Sequence, residues 1–193
     1  MQILAGKYKN RRLQSSASAK VKPTARRLRE ALFDFLGARI IEARFLDLCA
    51  GSGAVGIEAL SRGAAHVTFV ERSLKICSFI ESNLENCGIS KSQAEVVPCD
   101  VLDFLRRTKS SDSLKYDIAF FDPPYAVDYS PVISLFAAGA ALKQRGSVLV
   151  VEHHCENKLH DNIGVINRWR VIRQGESCLS FYEKQNIGVR TRN

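Results

Sequence analysis

Two short segments of this chain carry residue types that could hold and activate a small group. The first is Phe120-Phe121-Asp122-Pro123-Pro124-Tyr125. Consecutive prolines fix φ and carry no N–H, so their carbonyls and the neighbouring carboxylate make a rigid array of acceptors. An amino group conjugated to a heterocycle is a poor nucleophile because its lone pair is delocalised into the ring. Hydrogen bonds from its two N–H groups to the Asp122 carboxylate and the Pro123 carbonyl would fix its orientation and favour a pyramidal nitrogen aimed at an electrophile. Pro124 stiffens the turn and Tyr125 is placed to stack on the ring. These four residues, Asp122, Pro123, Pro124 and Tyr125, are the expected catalytic loop.

The second segment is Asp47-Leu48-Cys49-Ala50-Gly51-Ser52-Gly53-Ala54-Val55-Gly56. Glycines there allow a tight turn and let a ligand lie against the backbone without a Cβ in the way. The same residues fit the GxGxxG dinucleotide pattern, and Glu71 follows at about the ~20-residue offset of a ribose-binding acid. A nicotinamide enzyme is therefore the first rival. Asp47 counts against it, because an anion gains nothing beside a pyrophosphate but would pair with the ammonium of a bound amino acid. The acceptor loop at Asp122 counts against it as well.

Alternating segments must position these residues. Short apolar runs over 45–49, 66–71, 94–98, 117–121 and 147–152 read as strands. Between them 54–62, 74–86, 101–107 and 131–143 read as helices, two of them closed by Gly63 and Gly88. Such alternation predicts a doubly wound α/β fold, a mostly parallel sheet with helices on both faces, and ligands at the carboxyl edge of its strands. Segments 168–173 and 180–183, separated by a Gln-Gly-Glu-Ser turn, predict an antiparallel C-terminal hairpin. Near the start, QILAGKY predicts a short strand and SSASAK a loop. A helix then follows, with Thr24 as its cap and Leu28, Ala31, Leu32, Phe35 and Leu36 as an apolar stripe packed in the core.

The chain has 193 residues, 46% of them apolar and 25% charged, which suits one globular domain with a substantial core. No apolar run reaches membrane-spanning length and the first residues lack a signal-sequence pattern, so a cytoplasmic location is expected. The six cysteines are scattered, with no CxxC pair and no histidine at zinc spacing, and are expected to be reduced, mostly buried thiols. Pro98-Cys99 matches a nucleophile motif of carbon-methylating enzymes, but it lies on a different strand from the acceptor loop and is expected to pack. Residues 1–44 carry eleven basic and three acidic side chains, a net of +8, while the other 149 residues carry 17 of each. An excess confined to one segment is the electrostatic signature of phosphate contact, and Lys7, Lys9, Arg11, Arg12, Lys22 and Arg26 are its expected carriers. The domain organisation expected is a basic, RNA-binding N-terminal extension over 1–44 and a catalytic domain over 45–193.

The order DLCAGSG, an acid after the second strand, an aspartate after the third, then DPPY resembles the Rossmann-like S-adenosylmethionine-dependent methyltransferases that modify amino nitrogens. With the segments ILAGKYKNRRL, KPTARRLREALFDFL and GESCLSFYEK included, nearly the whole chain resembles the RsmD family, which methylates N2 of one guanine in bacterial small-subunit ribosomal RNA. The family pattern often has an Asp-Arg pair after Pro-Thr, and here Ala25-Arg26 departs from it. The resemblance implies that Asp47, Ala50, Gly51, Ser52 and Gly53 cradle the methionine end of S-adenosylmethionine. It further implies that Glu71, with Arg72 beside it, takes the ribose hydroxyls and that Asp100 and Val101 border the adenine. No metal is implied, since the sulfonium already supplies an activated methyl group. A monomer acting on small-subunit ribosomal RNA, or on the assembled subunit, is expected. A DNA adenine N6-methyltransferase, a protein glutamine methyltransferase and a noncatalytic RNA-binding protein with a relic cofactor fold remain the rivals.

Overall fold

The structure is a computed structural model, and it describes residues 1–14, 23–109, 115–124, 127–143 and 146–184, with the side chains of 23–25 left out. Five parallel strands form the first part of the sheet: β1 (Arg44–Leu48), β2 (His66–Glu71), β3 (Ala94–Pro98), β4 (Ile118–Phe121) and β5 (Val148–His154). Helices α2 (Ala54–Ser61), α3 (Leu74–Cys87), α4 (Val101–Lys109) and α5 (Ser130–Ala137) connect them, and α1 (Pro23–Leu36) precedes them. The strand order is β3-β2-β1-β4-β5-β8-β7-β6, where β6 is Asn162–Ile163, β7 Ile166–Gln174 and β8 Ser177–Lys184. The expected doubly wound sheet with its antiparallel hairpin is therefore what forms.

Central strands need apolar residues on both faces, and β1 and β4 have them. Side chains alternate across the sheet. Phe45, Val67, Phe69, Ile118, Phe120 and Val150 face α1, α2 and α3 in one core. Leu46, Val70, Ala119, Phe121, Leu149 and Val151 join α4 and α5 in the other. The same rule orders the hairpin. β8 is buried along nearly its whole length, whereas β7 is mostly partly or fully exposed, so β8 pairs with β5 and β7 takes the next position toward the sheet edge.

Several local expectations change. QILAGKY makes no strand, only an isolated bridge between Gln2 and Arg12, because its backbone donors go to side chains of α2 instead. α1 begins at Pro23, so Thr24 lies inside the helix rather than capping it, as suits a proline whose missing N–H costs nothing in a first turn. α5 ends at Ala137, with Gly139 at φ +92, well short of Lys143. Two of the six cysteines are not free thiols. Cys155 and Cys178 form a disulfide, brought together by the β5–β8 pairing across a sequence separation of 23 that carries no local signal.

Residues 1–14 dock onto the catalytic domain through side chains remote in sequence. Ile3, Tyr8 and Leu13 are buried in the same core as α1 and the sheet. The Glu58 carboxylate, fully buried on α2, accepts the Leu4 N–H at 2.7 Å and the Ala5 N–H at 3.0 Å. Ser61 Oγ accepts the Tyr8 N–H. Gly6 lies so close to α2 that a Cβ there would sit 1.8 Å from the Ser61 carbonyl oxygen, so only glycine fits. Asn83 of α3 exchanges hydrogen bonds with the Gln14 backbone and also donates to the Ser52 carbonyl, tying this segment to the glycine turn.

Candidate active site

The carboxyl edge of the five parallel strands carries one acid per strand: Asp47 in β1, Glu71 closing β2, Asp100 after β3, Asp122 after β4 and Glu152 in β5. Neighbouring strands are about 4.8 Å apart, so these carboxyls crowd one rim. Their joint field is legible at Cys49. Burial, Glu71, Asp122, Asp47 and Asp100 together push that thiol up to about 12, which leaves it protonated and favours a cationic ligand beside it.

The turn after β1 is shaped by left-handed backbone. Cys49, Gly51 and Gly53 have φ of +60, +55 and +73. Gly53 opens α2, and its own N–H is held by the Ala50 carbonyl. Gly56 lies where a Cβ would meet the Phe69 ring at 2.3 Å, so its lack of a side chain lets α2 pack directly on β2. Asp47 is buried under this turn, where its carboxylate accepts the Gly56 N–H at 2.9 Å. The desolvation raises its pKa well above the ordinary carboxylate range. It does not line the cavity above the turn, and its bond to the Gly56 N–H braces that turn from below.

That cavity, about 180 Å³, joins the two segments singled out above. Ala50, Gly51 and Ser52 line it together with Asp122, Glu152, Phe120 and Leu179 and with Arg26 and Arg29 of α1. Burial pushes the Asp122 carboxyl up to about 7 even though it presents surface to the cleft, because protein walls surround it. Burial and the charge of Asp122 push Glu152 up to about 8. Two carboxyls this close cannot both ionise freely, and near neutral pH they hold a proton between them. Pro123 is buried behind Asp122, Pro124 is exposed with its carbonyl accepting the Val127 N–H, and Tyr125 lies outside the described residues.

The other expected ligand positions lie along the same edge. Glu71 accepts N–H bonds from Gly51 at 3.3 Å and Ser73 at 3.0 Å, bridging the glycine turn to the end of β2. Asp100 accepts the Leu102 N–H at 2.8 Å and caps α4, with Val101 half-buried next to it, and Arg72 is exposed beyond Glu71. Cys99 packs against the opposite core, outside the cavity, and burial raises its pKa.

Lys7, Lys9, Arg11, Arg12 and Arg26 are exposed, and Lys22 lies outside the described residues. A shallow groove lined by Gln2, Leu4, Arg12 and Leu13 shares Met1, Arg26 and Arg29 with the cavity, so basic side chains lead up to its mouth. Sequence reasoning missed Glu152, Arg29, Glu58 and Asn83. Arg29 is nearly buried, donates to the Gln2 carbonyl at 2.8 Å, and has its guanidinium pKa lowered by desolvation. Glu58, Asn83 and Glu152 sit in none of the quoted segments, and Arg29 lies in KPTARRLREALFDFL with no role read for it. The only signal of Glu152 in the sequence is that it ends an apolar strand, as Glu71 does.

The family described as Conserved hypothetical protein 95 matches residues 1–183. The chain belongs to this family. Ribosomal RNA small subunit methyltransferase D of Escherichia coli (strain K12) is 35% identical over 192 residues, 97% of this chain and 92% of that protein. The protein of the same name from Haemophilus influenzae is 35% identical over 151 residues, 78% of this chain and 77% of its own length. The solved structure described as "Putative methyltransferase yhhF from Escherichia coli" superposes with a TM-score of 0.80 at 28% identity, covering 96% of this chain and 98% of that one. The fold is thus that of the class I methyltransferases, and the resemblance to the RsmD family drawn from the sequence holds over nearly the whole chain. Among the described residues no helix is long and apolar enough to cross a membrane.

Proposed function

We propose that this protein transfers a methyl group from S-adenosylmethionine to the exocyclic N2 of a guanine in small-subunit ribosomal RNA. The observation that carries the reading is the meeting of the glycine turn with Asp122, the first residue of the Asp-Pro-Pro loop, in one cavity. Relatives named for small-subunit ribosomal RNA methylation support it. The residues fit the donor. Gly51 and Gly53 hold the turn in left-handed backbone, Gly51 leaves its cavity wall free of a Cβ, and the acids around Cys49 suit a sulfonium.

When bound, the donor supplies an activated methyl whose S–C bond breaks with its electron pair retained on sulfur. Asp122 accepts one N–H of the base's amino group, and the Pro123 carbonyl accepts the other, so the nitrogen lone pair faces the methyl. As the new N–C bond forms, positive charge develops on nitrogen, and the Asp122 carboxylate offsets it within a cavity of low dielectric. The nitrogen then sheds a proton to Asp122 or to water. Gly51, Gly53, Ala50 and Ser52 hold the methionine end, Glu71 with Arg72 the ribose, and Asp100 with Val101 the adenine. Asp47 acts beneath them by bracing the turn.

A base inside folded RNA must leave its stack to enter the cavity, at a cost of a few kcal/mol. Lys7, Lys9, Arg11, Arg12, Lys22 and Arg26 hold the surrounding phosphates while it does so. The protein works in the cytoplasm as a monomer, on ribosomal RNA or the assembled subunit. Transfer of labelled methyl to small subunits, followed by nucleoside analysis, tests the reading. N2-methylguanosine is the expected product; N6-methyladenosine, or label only in protein, refutes it.

A further inference from the structure

Glu152 is a carboxylate in the cavity that the methyl-transfer chemistry above does not use. β4 and β5 are parallel and in register, with Phe120 opposite Val150 and Phe121 opposite Val151. The next positions, Asp122 and Glu152, therefore leave neighbouring strands side by side and on one face, about 4.8 Å apart by strand spacing. Both line the cavity. Among the described residues no hydrogen bond reaches either carboxylate, whereas the oxygens of Glu58, Glu71 and Asp47 on the same domain are occupied. The other charged or titratable groups facing this pair are Arg26 and Arg29 from α1 and the Cys49 thiol from the end of β1.

Two adjacent acceptors call for two adjacent donors. The Watson–Crick edge of guanine presents the N1–H directly beside the 2-amino group, while adenine presents a bare N1 acceptor beside its 6-amino group. With Asp122 on the amino group, its neighbour lies where N1 must be. A carboxylate there accepts from guanine and repels the lone pair of adenine. We propose that Glu152 is the specificity-determining residue of this site, accepting the N1–H of the target guanine while Asp122 accepts from its N2. The inference rests on the guanine-N2 reading and adds the atom by which guanine is chosen.

The electrostatics agree. Burial raises both carboxyls, and Asp122 adds to the shift at Glu152, so without substrate the pair keeps a proton. Two base N–H donors take the place of that proton when guanine enters. Productive binding thus requires the pair to be fully ionised, and activity should climb as pH rises through neutrality.

The test uses the full chain and small ribosomal subunits from cells lacking the modification. Methyl transfer is measured for the native protein, Glu152→Ala and Glu152→Gln, alongside S-adenosylhomocysteine affinity, the identity of the product nucleoside and the pH profile. Glu152→Ala should lower kcat/KM about 10- to 100-fold, the worth of one hydrogen bond to a charged group, with S-adenosylhomocysteine affinity unchanged. Glu152→Gln keeps an acceptor oxygen, so it should recover much of that loss, and its activity should rise at lower pH than the native enzyme's. Native-like rates and pH profile in Glu152→Ala, with N2-methylguanosine as the product, would overturn the inference while leaving the guanine reading standing. Glutamine no better than alanine, or loss of S-adenosylhomocysteine affinity in step with rate, would also overturn it by making Glu152 a structural acid. A native product other than N2-methylguanosine removes the reading itself, and the inference with it.

Discussion

Replacing Glu58 by glutamine should release residues 1–14 from the catalytic domain while leaving the sheet folded. Each Glu58 oxygen has work to do: one accepts the Leu4 N–H at 2.7 Å, and the other the Ala5 N–H at 3.0 Å and the Arg62 guanidinium at 2.8 Å. Glutamine fills the same space but has one acceptor oxygen and an NH2 group. One backbone N–H therefore loses its acceptor and faces a donor, and Arg62, only 18% exposed in its side chain, loses its buried counter-charge and keeps the exposed Asp34 at 3.7 Å. A hydrogen bond to a charged group is worth about 1.5–3 kcal/mol, and breaking a buried pair by removing one partner costs about 3–5 kcal/mol. Taking about 3 kcal/mol as the net local loss, with every 1.4 kcal/mol a factor of ten, the segment's opening equilibrium should rise on the order of a hundredfold. Native-state hydrogen exchange reads this directly at the amides of Leu4, Ala5, Lys7 and Tyr8, all held by α2. Their protection should fall about a hundredfold while amides of β1 and β4 keep theirs. RNA affinity should fall with them. Unchanged protection at Leu4 and Ala5, or an equal loss across the whole sheet, would refute the idea that Glu58 is a local anchor for this segment.

Three further expectations concern the chemistry and the packing. Asp122→Ala should slow methyl transfer about 10²–10³-fold, the usual cost of one electrostatic contact to developing charge, while Cys99→Ser should turn over at close to the native rate; single-turnover methylation decides between direct transfer and a thiolate adduct. Glu152 has a folded-state pKa raised above the unfolded value, so its contribution to stability is complete below the ordinary carboxylate range and is lost as pH rises to about 8. Thermal melts of Glu152→Gln and the native chain should accordingly diverge in favour of the variant between pH 5 and pH 9, measured as a growing difference in Tm, and a difference that shrinks over that range would show the wrong sign for the shift. Neutralising Lys7, Lys9, Arg11 and Arg12 together should weaken RNA binding and flatten its salt dependence with S-adenosylhomocysteine affinity intact, an outcome read from binding titrations at several salt concentrations.

Much of this protein could be read from local pattern, because the interactions responsible span only a few residues. The apolar runs of β1 to β5, the helical spacing of α2 to α4 and the Gly88 stop each depend on short-range periodicity and backbone preference, and all appear within a residue or two of where the pattern puts them. The glycine turn and the Asp122-Pro123-Pro124 loop are equally local, since their residue types dictate the backbone that a ligand would need. Tertiary structure decided whatever depends on which segments become neighbours. The position of β8 inside β7 follows from burial on both faces, the Cys155–Cys178 disulfide from that pairing, and the partnership of Asp122 with Glu152 from the β4–β5 register. Glu58 and Asn83 look like ordinary helix-surface residues in the sequence, yet they hold backbone 53, 54 and 69 positions away. Asp47 shows the limit most directly. Its type and place are legible, but the direction of a side chain at a strand end is set by the helix packed over it, and here α2 presents the Gly56 N–H to the carboxylate.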